Sequence, residues 1–93
     1  MSTLAKALSP TVREIRFLCC QSGQASAGVR QFILAAYPTI KKNNPDLPIL
    51  IREAAGTPAR AFARFELGVE KHVELDGLTQ KDVEQKVSQL LTV

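Results

Sequence analysis

Twice within the first fifty residues the period of the hydrophobic pattern changes, and the order of those periods restricts the fold more than any other feature. From Val12 to Cys19 the chain alternates, with Arg13, Ile15, Phe17 and Cys19 on one side and Glu14, Arg16 and Leu18 on the other. That is the repeat of a β-strand. After a loop at Gln21–Gln24, the residues Val29, Phe32, Ile33, Ala36, Tyr37 and Ile40 recur at helical spacing and share one face. Leu47-Pro48-Ile49-Leu50-Ile51 is then a short apolar run. Such a run reads as a strand buried on both faces, with Pro48 confined to its start. A strand, a helix and a second strand in that order form a right-handed βαβ unit whose two strands are parallel.

The helix carries its own stop and start signals. Ser26 is placed to cap it, with its hydroxyl accepting from a first-turn amide. Gly28 weakens the first turn slightly, and Pro38 cannot donate to the Leu34 carbonyl, so a kink is expected there. Ile40 stays in phase with the stripe, which predicts a helix to about Asn43. Lys41 and Lys42 suit the negative end of the helix dipole, and Asn43-Asn44-Pro45 stops it.

The second half begins after Gly56-Thr57-Pro58. Ala59, Ala61, Ala63 and Phe65 alternate with Arg60, Phe62 and Arg64, Leu67-Gly68 turns the chain, and Lys71 to Leu75 alternates with Val73 and Leu75 inward. These two segments make an antiparallel hairpin. Thr79 caps a final helix with Asp82 at its third position, Leu78 is placed to pack on Val83, and Val83, Val87, Leu90 and Leu91 form its buried stripe. The predicted order is β-α-β-β-β-α in one domain over residues 12–93, preceded by an extension over residues 1–11.

Ninety-three residues suffice for a single modest core. No apolar run approaches the roughly 20 residues of a membrane span. The net charge of +3 is uneven: seven basic against two acidic residues up to Arg52, five against seven beyond it. The basic residues are scattered, with only Lys41-Lys42 adjacent, which argues for a solvated surface and against nucleic acid. Met1 to Arg13 holds no acid, a composition compatible with a weak mitochondrial import signal.

No catalytic, metal or cofactor site emerges from the motifs. His72 is the sole histidine and sits between Lys71 and Val73, so the four ligands of a zinc site are not supplied. G-x-S-x-G, G-x-G-x-x-G and G-K-[ST] patterns are absent. Cys19 and Cys20 are adjacent, and strand neighbours point to opposite faces, which disfavours a bond between them. Cys20 alone is the candidate redox thiol, its pKa lowered if it lies at the start of the first helix. Among Arg30, Arg52, Arg60 and Arg64, the last two flank Phe62 on one strand face. Arginine with an aromatic is the mixture enriched in protein–protein hot spots, so Arg60, Phe62 and Arg64 are the candidate docking residues. Arg52 ends a strand expected to be internal.

The element order resembles the minimal thioredoxin-like arrangement, which implies a four-stranded mixed sheet in order 2-1-3-4 with two main helices. Thr57-Pro58 before a strand ending Phe65-Glu66-Leu67-Gly68 is similar to the thioredoxin segment with a cis-proline, so a cis bond is expected at Pro58. Cys20 falls where thioredoxins carry their first active-site cysteine, but Gly23 stands in place of the second. Arg13-Glu14-Ile15-Arg16, Gly28–Ile33 and above all Lys41–Glu53 resemble the alpha-subcomplex subunit 2 family of NADH:ubiquinone oxidoreductase, respiratory complex I, whose domain is shared with small mitochondrial ribosomal proteins. The resemblance implies a non-catalytic accessory subunit of the peripheral arm, on the matrix side of the mitochondrial inner membrane, with other subunits as partners and no cofactor, substrate or nucleic acid. Family members can place a cysteine after Ile-Arg-Glu that pairs with the one matching Cys20. Ala54 stands there instead. The alternatives are a thiol-redox protein using Cys20 and a mitochondrial ribosomal protein meeting RNA.

Overall fold

The computed structural model describes residues 11–91. Strand β1 (Val12–Cys19) leads through a short 3-10 turn at Gln24–Ser26 into α1 (Ala27–Asn43) and back to β2 (Ile49–Glu53). Then β3 (Arg60–Phe65), a 3-10 turn at Glu66–Gly68, β4 (Glu70–Glu74) and α2 (Gln80–Leu91) complete the chain. The four strands form one sheet in the order β2-β1-β3-β4, with β1 parallel to β2 and the other pairs antiparallel. This is the mixed α/β arrangement expected. The extension over residues 1–11, apart from Thr11, and most of the candidate import signal lie outside the described residues.

Both helices lie on the same face of the sheet and pack against each other. Alternation makes this possible: Ile15, Phe17 and Cys19 of β1, Ala61, Ala63 and Phe65 of β3, and flanking Ala59 and Leu75 are buried beneath them. From the helices come Val29, Phe32 and Ile40 of α1 and Val83, Val87, Leu90 and Leu91 of α2. The three alanines of the β3 row leave room for larger neighbours, and the Phe17 and Phe32 rings meet at 6.0 Å in a tilted pair. The helix α1 runs through Pro38 to Asn43, where the Asn44 amide and its side chain both donate to the Ile40 carbonyl. At α2 the Asp82 amide donates to Thr79 Oγ1, as the cap requires.

Four expectations fail, each for a local reason. Arg13 is exposed and Val12 is buried, because a register shift between Val12 and Glu14 turns the start of β1 over. Among the described residues the strand β2 pairs with β1 alone, so it is an edge and not internal, and Leu50 and Ile51 remain 43% and 40% exposed. Ser26 precedes α1, but its hydroxyl accepts from the Cys20 amide instead of capping the helix. The Thr57-Pro58 bond is trans. An X-Pro bond prefers trans unless its surroundings demand otherwise.

Candidate functional site

Two places gather side chains that could act on something else. The first is the corner after β1, where Cys20 leaves the strand. Its amide donates to Ser26 Oγ at 3.0 Å, and its sulfur accepts from the amides of Gly23 at 3.2 Å and Gly56 at 3.4 Å. Arg30 Nη1 bridges the carbonyls of Cys20 and Gly23 at 2.7 and 2.8 Å and so holds the turn closed. Amides aimed at sulfur favour the thiolate, and those of Ser22, Gly56 and Gly23, in that order, bring the Cys20 thiol down to about 7. The lowering was expected from a helix terminus; it comes from loop amides instead. Cys19 points into the core, where burial, and next the charge of Glu53, push its thiol up. Both cysteines are free.

The second place is the face of the sheet that carries no helix among the described residues. Arg16 and Leu18 of β1, Leu50 and Arg52 of β2, and Arg60, Phe62 and Arg64 of β3 all point there, by register and alternation. The candidate docking residues therefore do share a face. They are also tied into it. Phe62 is half-buried, stacked on His72 at 5.3 Å and overlain by the Arg16 guanidinium at 5.1 Å. Arg60 pairs with Glu74 at 2.9 Å, Arg64 with Glu14 at 3.7 Å, and Arg16 with Glu70 at 2.5 Å. Arg52 alone among the arginines of this face has no carboxylate partner among the described residues. An open groove of about 530 Å³ runs beside it, lined by Glu14, Arg16, Leu18, Leu50, Arg52 and Thr57 among others.

Arg60, Phe62 and Arg64 share a face as their alternation gives, but sequence reasoning did not foresee Arg16, whose guanidinium covers Phe62. The signal was the parity of β1, which sets Arg16 opposite Phe62 once the antiparallel register is known. Among the described residues, no group of three His, Cys, Asp or Glu side chains could hold a metal ion.

Comparison with known proteins decides between the readings. A family described as the mitochondrial ribosomal protein L51 / S25 / CI-B8 domain matches residues 29–80, from the first turn of α1 to the start of α2. Over 85 residues the chain is 48% identical to the NADH-ubiquinone oxidoreductase 10.5 kDa subunit of Neurospora crassa, covering 91% of this chain and 90% of that protein. It is 43% identical over 84 residues to NADH dehydrogenase (ubiquinone) 1 alpha subcomplex subunit 2 of Arabidopsis thaliana, covering 90% and 87%. The subunit of the same name from Mus musculus is 41% identical over 81 residues, covering 87% and 82%. The chain belongs to the alpha subcomplex subunit 2 family. Of the Cys20 corner, Cys20, Gly23 and Ser26 lie before the domain match begins, whereas Arg30, Gly56 and the strands β2, β3 and β4 lie inside it.

Proposed function

We propose that the chain is an accessory subunit of mitochondrial complex I that works by docking and not by catalysis. The observation that carries this is the identity of 41–48% to complex I subunits over nearly the whole chain. Complex I subunits are accordingly its partners, and the mitochondrion its location. Among the described residues no helix is long and apolar enough to cross a membrane, which fits peripheral association. The finer parts of the reading are the peripheral arm and the matrix side, and they rest on the family resemblance. The docking role is supported by the helix-free sheet face, where an aromatic is held between Arg16 and His72 with arginines at either side. The absence of catalysis is supported by Gly23 and Ala54, which leave Cys20 with no resolving thiol except Cys19, which is buried in the core.

The test is direct. A tagged chain expressed in its own mitochondria, solubilised gently and separated under native conditions, should migrate with the NADH-oxidising complex. Migration as a free small protein, or with the ribosome, refutes the reading. For the non-catalytic part, the purified chain with dithiothreitol should reduce insulin no faster than its Cys20→Ser variant.

A further inference from the structure

The two edges of the sheet are built in opposite ways. The strand β4 carries Glu70, Lys71, His72 and Glu74 on its five residues, and charge of this kind discourages another strand from adding. The strand β2 reads Ile49, Leu50, Ile51, Arg52, Glu53, with no proline inside and no register shift along its ladder to β1. Its backbone is open on the outer side. The Ile15 amide donates to the Pro48 carbonyl and the Ala54 amide to the Cys19 carbonyl, each at 3.1 Å. In a parallel ladder with those two ends fixed, Leu50 and Arg52 turn their amides and carbonyls toward β1, and Ile49, Ile51 and Glu53 turn theirs outward. No hydrogen bond among the described residues reaches those outward groups.

We propose that this outer edge receives a strand from a neighbouring complex I subunit, an extended segment with a carboxylate opposite Arg52. The proposal rests on the reading of the chain as a complex I subunit. Three outward residues supply the donors and acceptors, and main-chain bonds of this kind provide affinity while side chains provide selection. Ile51, on the helix side, selects an apolar neighbour. Arg52, on the open side, is exposed beside Leu18 and makes no ion pair among the described residues, so its complement is an acid on the added strand. A second copy of this chain fits less well. Antiparallel self-pairing about Ile51 sets Arg52 against Leu50 and leaves the charge unanswered.

Hydrogen exchange measured on the assembled complex and on the free chain tests the edge. The amides of Ile49, Ile51 and Glu53 should exchange at least about tenfold more slowly in the complex, as expected when an open edge becomes paired. Ile51→Pro removes one outward donor and no bond to β1, so the free chain should fold while its incorporation falls below that of Ile51→Ala. If the proline variant does not fold, exchange in the wild-type complex decides alone. Arg52→Glu should lower incorporation more than Arg52→Ala; equal incorporation overturns the acidic partner. A wild-type chain that enters the complex with these amides exchanging as in the free state overturns the strand docking alone. One that never enters overturns the complex I reading together with it. A free chain that is dimeric until Ile51→Pro is introduced shows a second copy on the edge, and also overturns the proposal.

Discussion

Gly28 and Cys20 show how much a single position can depend on residues far away in the chain. A Cβ on Gly28 would lie 2.1 Å from the carbonyl oxygen of Leu78 and 2.9 Å from the carbonyl carbon of Thr79, so the first turn of α1 sits directly on the backbone entering α2. Helix propensity alone favours alanine here by about 1 kcal/mol. The contact is with backbone, which cannot rotate aside, so overpacking should win, and Gly28→Ala should destabilise by about 2–3 kcal/mol. A urea midpoint that falls without a change in slope checks this; a midpoint that rises means that propensity has won. At Cys20 the folded thiol is lowered to about 7 from its ordinary 9.0. The unfolded chain therefore holds a proton that the folded chain has lost between those values, and stability must rise with pH across that window. Below about pH 7 both states are protonated and the contribution is absent. The stability of wild type relative to Cys20→Ala should thus increase between pH 7 and 9, and thiolate absorbance should titrate near 7. Cys19 does not disturb the comparison, because its folded thiol is raised and titrates above that window.

At the scale of elements, what could be read from the sequence is what neighbours in sequence determine. The helix α2 was legible almost to the residue, since Thr79, Asp82 and the Val83–Val87–Leu90–Leu91 stripe are local signals. Thr79 is exposed, so Thr79→Ala removes the cap and little packing. It should cost about 1 kcal/mol, read as a lower thermal midpoint, whereas Thr79→Asp should restore it. The strand β3 was equally clear because Ala61, Ala63 and Phe65 alternate without a break with Arg60, Phe62 and Arg64. Legibility ended where an element's neighbours come from elsewhere. The apolar run of β2 looked internal, yet its outer flank is set by the order of strands in the sheet. Nothing within Val12-Arg13-Glu14 announces the register shift that exposes Arg13. Of the amides around Cys20, those of Ser22 and Gly23 lie two and three residues on, but that of Gly56 is thirty-six residues away, so only the fold brings it to the sulfur. Pro58 was misread because a feature of redox relatives was carried to a chain that lacks their second thiol.

The whole molecule is a two-layer structure, with a single helical layer on one face of the sheet and charged side chains across the other. Its candidate docking face was legible as a set of residues but not as a network, since Glu14, Arg16 and His72 join it only through register. That network changes what the face offers a partner. Pairs such as Arg60–Glu74, exposed on both sides, and Arg64–Glu14, whose arginine is exposed and whose contact is 3.7 Å long, are worth little, about 0–1 kcal/mol each. They can therefore exchange an internal carboxylate for a partner's at small cost, while Arg16 and His72 keep Phe62 oriented. Phe62→Ala with Arg64→Glu tests the face as a unit. In the free chain the double variant loses the His72 stack and the Arg16 contact on Phe62 and sets a second carboxylate beside Glu14, each worth about 1 kcal/mol or less, so circular dichroism should show a folded domain. In mitochondria it should enter complex I several-fold less well than wild type, and less well than Phe62→Ala with Arg64→Ala, because reversing the charge adds repulsion against an acidic partner. Assembly of the double variant at the wild-type level would leave this face in solvent. The docking surface would then be the β2 edge or the helical layer.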